Sequence, residues 1–216
     1  MQTLLPFLLA LGVGFTHAFE ADHLVAVSNI VTRRNNIRLA LKDGVFWGLG
    51  HTSTILIVGS IFMLGKFALH ESDFRLLEAG VGVMLMTLGG IRLYKLAVPA
   101  SLVLVHTHAQ AAVHSHEGHT HGLAYGVGLI HGLAGSGALL LSVLTQINGT
   151  GAGMLYLVLF GVGSIGGMMV AAGVFSVPFS VRLLTYPAVR TTLVVLSSLV
   201  CIGLGAIVVY ESVIGY

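Results

Sequence analysis

The chain predicts an all-α membrane protein, with six transmembrane helices arranged as two inverted three-helix repeats. Three observations lead there. Of 216 residues, 56% are hydrophobic and 8% charged, at a mean hydropathy of +0.95, whereas globular domains carry about 25% charged residues. Six apolar runs reach the ~20 residues that a spanning helix needs, at 3–30, 38–65, 73–94, 122–146, 151–176 and 190–211. Finally, Gly12-Val13-Gly14-Phe15-Thr16-His17 recurs as Gly126-Val127-Gly128-Leu129-Ile130-His131, an offset of 114 residues. Three helices are an odd number, so two such halves insert with opposite orientation, an arrangement common where a transported solute binds between halves.

The first run lacks the basic residues that open a signal peptide and is read as a retained helix. Its polar core is His17-Ala18-Phe19-Glu20-Ala21-Asp22-His23. A charge at mid-membrane costs ~2.5–3.5 kcal/mol even on the lenient insertion scale, so such a cluster reads as a functional site. In a regular helix, at about 100° per residue, His17, Glu20 and His23 share a stripe and Asp22 faces elsewhere. A helix distorted between Gly14 and Asp22 would instead swing Asp22 inward, as in the discontinuous helices that hold ions in transporters. Imidazole beside carboxylate suits a borderline divalent cation such as Ni²⁺, Co²⁺ or Zn²⁺.

The second run carries His51 in Gly48-Leu49-Gly50-His51-Thr52-Ser53-Thr54, a further candidate ligand. This stretch lines up approximately with Gly161-Val162-Gly163-Ser164 in the fifth run. The fourth run brings His131, the repeat partner of His17, as a second ligand or a gate. Glu20, Asp22 and His23 are matched there by Ala134, Ser136 and Gly137, so the second half keeps one imidazole and loses the carboxylates. Pairs Gly122 and Gly126, Gly128 and Gly132, and Gly163 and Gly167 have the spacing that lets helix backbones approach closely. Pro178 and Pro187 predict a loop or interfacial piece over 177–189, because proline breaks helical hydrogen bonding. Cys201 stands alone in the last run, which excludes an internal disulfide or dithiol relay and makes it a small core residue.

Between the third and fourth runs lie His106, His108, His114, His116, His119 and His121, six of the eleven histidines. Neutral imidazoles on a loop can wrap a transition metal without a preformed cage, so this stretch is read as a metal-capture loop. The domains are then 1–95, the histidine loop 96–121, and 122–216. Eight of the ten basic residues fall in alternate loops, leaving Lys66 and Arg75 opposite. The positive-inside rule places those loops, the histidine loop among them, in the cytoplasm and both termini outside. The formal charge of +2 gives no reason to invoke nucleic acid.

His17-Ala18-Phe19-Glu20-Ala21-Asp22-His23 resembles the signature of the nickel/cobalt transporter superfamily, a histidine followed after four residues by Asp-His. Leu49-Gly50-His51-Thr52 resembles that family's second-helix motif. His131-Gly132-Leu133-Ala134-Gly135-Ser136-Gly137 is similar to its short, urease-accessory branch. The resemblance implies transport of Ni²⁺ or Co²⁺ across the cytoplasmic membrane, with His17, Asp22, His23 and His51 as metal-handling residues. The chain predicts fewer helices than the longer importers of that family, so their direction and mechanism transfer less directly.

The expected function is therefore uptake of a divalent transition metal, with the ion as cargo, no organic cofactor and no enzymatic step. Its partners are the lipid bilayer, the metal and, further, metallochaperones. Glu20, His23 and His51 would dehydrate the ion, Asp22 would ligate it or orient an imidazole, and His131 would receive it. No G-x-x-x-x-G-K-[ST] occurs, so coupling to ATP would need another subunit. Proton antiport fits, since a metal displaces protons from imidazoles of ordinary pKa about 6.5. Efflux, a membrane metal chaperone or sensor, and a haem protein held between histidines are the rival readings.

Overall fold

The computed structural model describes residues 5–31, 36–65, 71–98, 120–134, 147, 149–180 and 187–214. Among them are seven helices: α1 Leu5–His17, α2 Ala21–Val31, α3 Ile37–Gly65, α4 Glu71–Ala97, α5 Thr120–Ala134, α6 Thr150–Ser180 and α7 Pro187–Val213. Four of these are long and apolar enough to cross a bilayer, over Ile37–Leu64, Arg75–Ala97, Thr150–Val177 and Thr191–Val213. The chain is a membrane protein, all-helical among the described residues.

The first expected span differs, because it is broken into α1 and α2. At the break, Phe19 N–H donates to the Thr16 carbonyl at 2.9 Å and Glu20 N–H to that of His17 at 3.1 Å, tight turns that end α1. Regular bonding resumes when Leu24 N–H reaches the Glu20 carbonyl at 3.0 Å. Asp22 sits in the first turn of α2 and accepts the backbone N–H of His23 at 2.8 Å. A carboxylate there satisfies an orphan donor and complements the positive end of the helix dipole.

The second span starts at Asn36, whose side-chain oxygen accepts the Arg38 N–H at 2.8 Å while its carbonyl accepts from Leu39 and Ala40, an N-cap. In the fourth span α5 covers 120–134, and 135–146 lies outside the described residues. The prolines of 177–189 predict a loop or interfacial piece; α6 instead runs through Pro178 to Ser180 and α7 opens on Pro187, while 181–186 lies outside the described residues. Proline is tolerated in a first helical turn because the N–H it lacks would have no intrahelical partner there.

Glycines set how the helices meet. A Cβ at Gly128 or Gly132 of α5 would strike the Trp47 or His51 carbonyl of α3, and one at Gly163 or Gly167 of α6 the Leu11 or Phe15 carbonyl of α1. The close approach expected of those two pairs is therefore present, whereas among the described residues nothing lies within 4 Å of a Cβ placed at Gly122 or Gly126. From these contacts α5 runs parallel to α3, and α6 parallel to α1. On α3, Gly44 lies against Met168 and Gly48 against Ile165, so α3 and α6 run antiparallel. Gly82 of α4 and Gly205 of α7 each face the other's carbonyl.

The main buried core joins Trp47, Leu85, Val27, Ala124 and Met168, and a smaller one joins Ala10, Ile55, Tyr156, Leu157 and Phe160. Cys201 belongs to the first core, its thiol 3.2 Å from the Leu85 carbonyl. The C-terminal end of α2 is held by buried Arg92 of α4, whose guanidinium donates to the Asn29 carbonyl at 3.0 Å.

Candidate metal centre

Helix α1 ends on His17, the break turns Asp22 and His23 into the bundle, α3 brings His51 from its middle and α5 brings His131. His17 is 4% exposed and the other three histidines 0%. Ring centroids of His23 lie 4.5 Å from His17, 5.2 Å from His51 and 4.2 Å from His131. Ligand-type atoms of His17, His23 and His51 all lie within 4.8 Å of one another, and so do those of Asp22, His23 and His131.

Two carboxylates hold these rings from behind. Asp22 Oδ1 is 3.0 Å from His23 Nδ1 and its Oδ2 2.9 Å from His131 Nε2, while Glu20 Oε1 is 2.8 Å from His17 Nδ1. An imidazole that donates one N–H to a carboxylate keeps its other nitrogen as a lone pair, with the ring fixed and its basicity raised. Among the described residues, the histidine nitrogens of this cluster without a hydrogen-bond partner are His17 Nε2, His23 Nε2, His131 Nδ1 and both of His51. An unsatisfied buried polar atom costs ~1–3 kcal/mol. Folding alone gives no reason to collect five in one place, whereas a cation would satisfy them. A nitrogen-and-oxygen set with no thiolate suits Ni²⁺, Co²⁺ or Zn²⁺ over softer ions.

Of the expected site residues, His17, Asp22, His23, His51 and His131 are thus brought together. The broken helix selects the arrangement in which Asp22 points inward, and Glu20, 44% exposed, stands at the rim behind His17. His121 is elsewhere: it lies in the first turn of α5, with Nδ1 2.7 Å from Asp43 Oδ1 of α3. That corrects its assignment to a free loop, since a helix-start position opposite a buried carboxylate fixes it. His106, His108, His114, His116 and His119 lie outside the described residues.

Two aromatic neighbours escape the sequence reading. Trp47, one turn before His51 on α3, stacks on His23 at 5.7 Å and meets His131 edge-on at 5.8 Å. Phe160 of α6 covers His17 at 5.5 Å. The signal for Trp47 is its spacing: a bulky ring four residues from a ligand lies on the same helix face.

No family model and no solved structure matches the chain. It is 35% identical over 176 residues to the urease accessory protein UreH of Bacillus sp. (strain TB-90), covering 78% of this chain and 75% of that protein. It is 36% identical over 66 residues to the high-affinity nickel transport protein of Cupriavidus necator, covering 30% of this chain and 18% of that one. With the nickel transporter NicT of Mycobacterium tuberculosis it shares 30% identity over 103 residues, 45% of this chain and 27% of the relative. These relatives are transporters and an accessory protein, not enzymes. The extent of the match to UreH, with the shorter matches to nickel transporters, means that the chain belongs to the nickel/cobalt transporter superfamily, in its UreH-like branch.

Proposed function

We propose that this protein carries Ni²⁺ or Co²⁺ inward across the cytoplasmic membrane. The observation that carries the reading is the convergence of five unpartnered imidazole nitrogens from α1, α2, α3 and α5 in the apolar interior of the bundle. His17, His23, His51 and His131 are the ligands of the dehydrated ion, Asp22 orients two of the rings, and Glu20 at the more exposed rim first attracts the cation. The printed names of two relatives, which are nickel transporters, support nickel as the cargo. The accessory role named for UreH supports delivery onward to a metallochaperone on the cytoplasmic side.

Six spans in two inverted halves, 1–95 and 122–216 with the histidine loop between, complete the reading. Supporting it, residues aligned by the repeat make the same contacts with exchanged partners. Gly14 lies against the Phe160 backbone and Gly128 against that of Trp47; Gly163 meets Leu11 and Phe15, and Gly50 meets Tyr125 and Leu129. Between α3 and α6, Gly48 meets Ile165 while Gly161 meets Thr52. A two-fold relation between halves produces such an exchange, and the cluster then lies where the halves meet, as in transporters built from inverted repeats.

Nickel flux into vesicles of known orientation tests the function. Purified protein should admit Ni²⁺ from its extracytoplasmic face, and His51→Ala should abolish that flux. Flux equal to empty vesicles would favour the chaperone reading, and flux only in the opposite sense would favour efflux.

A further inference from the structure

Asp43 and His121 stand apart from the four-histidine cluster. The Asp43 side chain is 1% exposed and that of His121 22%, and their facing oxygen and nitrogen are 2.7 Å apart. The His121 ring is also held flat against Phe46, centroids 5.0 Å apart and planes 7° from parallel. A buried carboxylate thus meets an imidazole that is fixed in orientation yet reachable from outside.

The position of this pair is informative. On α3, Asp43, Trp47 and His51 follow at four-residue steps, each a rise of about 6 Å. On α5, parallel to α3, His121 precedes His131 by ten residues, about 15 Å. The pair and the cluster therefore lie along the same two helices, the pair nearer their starts and the cluster at the middle of α3 and the last turn of α5. Trp47 occupies the interval, packed on His23 and His131. His121 directly follows the stretch bearing His106 to His119.

We propose that Asp43 and His121 form an outer binding station for the same divalent metal ion, next in the chain after the histidine loop and set off from the buried cluster by Trp47 as the partition. This rests on the transport reading above. The facing Nδ1 and Oδ1 share one proton, and a borderline divalent cation that displaces this proton to water takes the oxygen and the nitrogen as its ligands. A site built on one carboxylate and one imidazole binds more weakly than the four-imidazole cluster. An intermediate station must release what it takes, so weak binding suits it. A purely structural pair would hold the head of α5 against α3 and bind no ion.

The test uses full-length protein in which His106, His108, His114, His116 and His119 are all alanine, so that loop imidazoles contribute nothing. Equilibrium dialysis against Ni²⁺ alone should resolve a tight ion and a weaker one. Asp43→Asn, and separately His121→Gln, should weaken the second ion by about tenfold or more while the tight ion stays. Retention of the tight ion in the same sample reports that the variant has folded; where buried Asp43→Asn loses both, the partly exposed His121→Gln decides. His23→Ala should remove the tight ion and spare the weak one, and an unchanged tight ion in His23→Ala would count against the cluster without touching the outer station. A single ion lost with His23→Ala, or a weak ion indifferent to both Asp43→Asn and His121→Gln, overturns the proposal.

Discussion

Asp22 and His131, one on α2 and the other on α5, are bound to each other through the middle of the bundle, Oδ2 to Nε2 at 2.9 Å. The same carboxylate holds His23 through Oδ1 at 3.0 Å. One side chain thereby sets the orientation of two candidate ligands on different helices. Asp22→Asn keeps the shape, but its amide nitrogen would present N–H toward an imidazole that is itself donating. Loss of an outer partner of a metal-bound histidine typically costs ~10–100-fold in affinity or activity. Nickel uptake by Asp22→Asn should fall by that order at normal membrane abundance. A dispensable membrane charge would behave oppositely, leaving uptake intact and easing insertion, so near-parental uptake would end the role given to Asp22.

The two positions matched by the repeat, His51 and Ser164, are both fully buried, yet they make opposite forecasts. Ser164 donates to the Gly14 carbonyl at 3.1 Å and so has its partner inside the fold. Both nitrogens of His51 lack one among the described residues. Ser164→Ala should therefore cost about 1 kcal/mol of stability with transport near parental, whereas His51→Ala should abolish transport with little loss of stability. Uptake assays run beside thermal melts of the purified variants would separate the two, and equal loss of uptake in both would argue against a special role for His51.

Much of the candidate centre is legible in sequence because imidazoles and carboxylates interrupt long apolar runs, where their burial is otherwise unfavourable. The break after His17 is legible only as one of two alternatives, because residues 17–23 contain neither glycine nor proline and include good helix formers such as Ala18, Glu20 and Ala21. Tertiary contacts override that local preference by giving Asp22 two imidazoles from different helices. The pairing of Asp43 with His121 depends on the register between α3 and α5, a long-range property that no local pattern encodes. Glycine pairs are likewise readable as close-packing motifs, but Gly122 and Gly126 have the same spacing as Gly128 and Gly132 and only the latter face a neighbour.

That difference gives an internal control. Gly14→Ala and Gly128→Ala each drive a Cβ into a backbone carbonyl, of Phe160 and Trp47, and a backbone cannot move aside as a flexible side chain can. Overpacking of this kind costs ~1–3 kcal/mol, and both variants should melt lower and accumulate less in the membrane. Gly12→Ala and Gly126→Ala meet open space and should be neutral or gain up to about 1 kcal/mol from helix propensity. Thermal melts of the four proteins in one detergent are the measurement, and equal melting of all four would contradict these helix contacts.

The last prediction concerns the histidine loop, which is expected to capture metal without forming the path. Among the described residues, every member of the buried cluster comes from α1, α2, α3 or α5, and its inward-turned imidazoles are held by Asp22 and Glu20. A loop of histidines raises the local supply of ions but cannot impose fixed coordination geometry, on which selection among divalent metals depends. Replacing His106, His108, His114, His116 and His119 with alanine should raise the nickel concentration needed for half-maximal uptake by several-fold, while the maximal rate stays near parental. Uptake is measured across a nickel series in cells matched for membrane abundance, with His23→Ala as the inactive reference. If the loop variant instead loses its maximal rate at saturating nickel, the loop is part of the pathway and the cluster alone does not suffice.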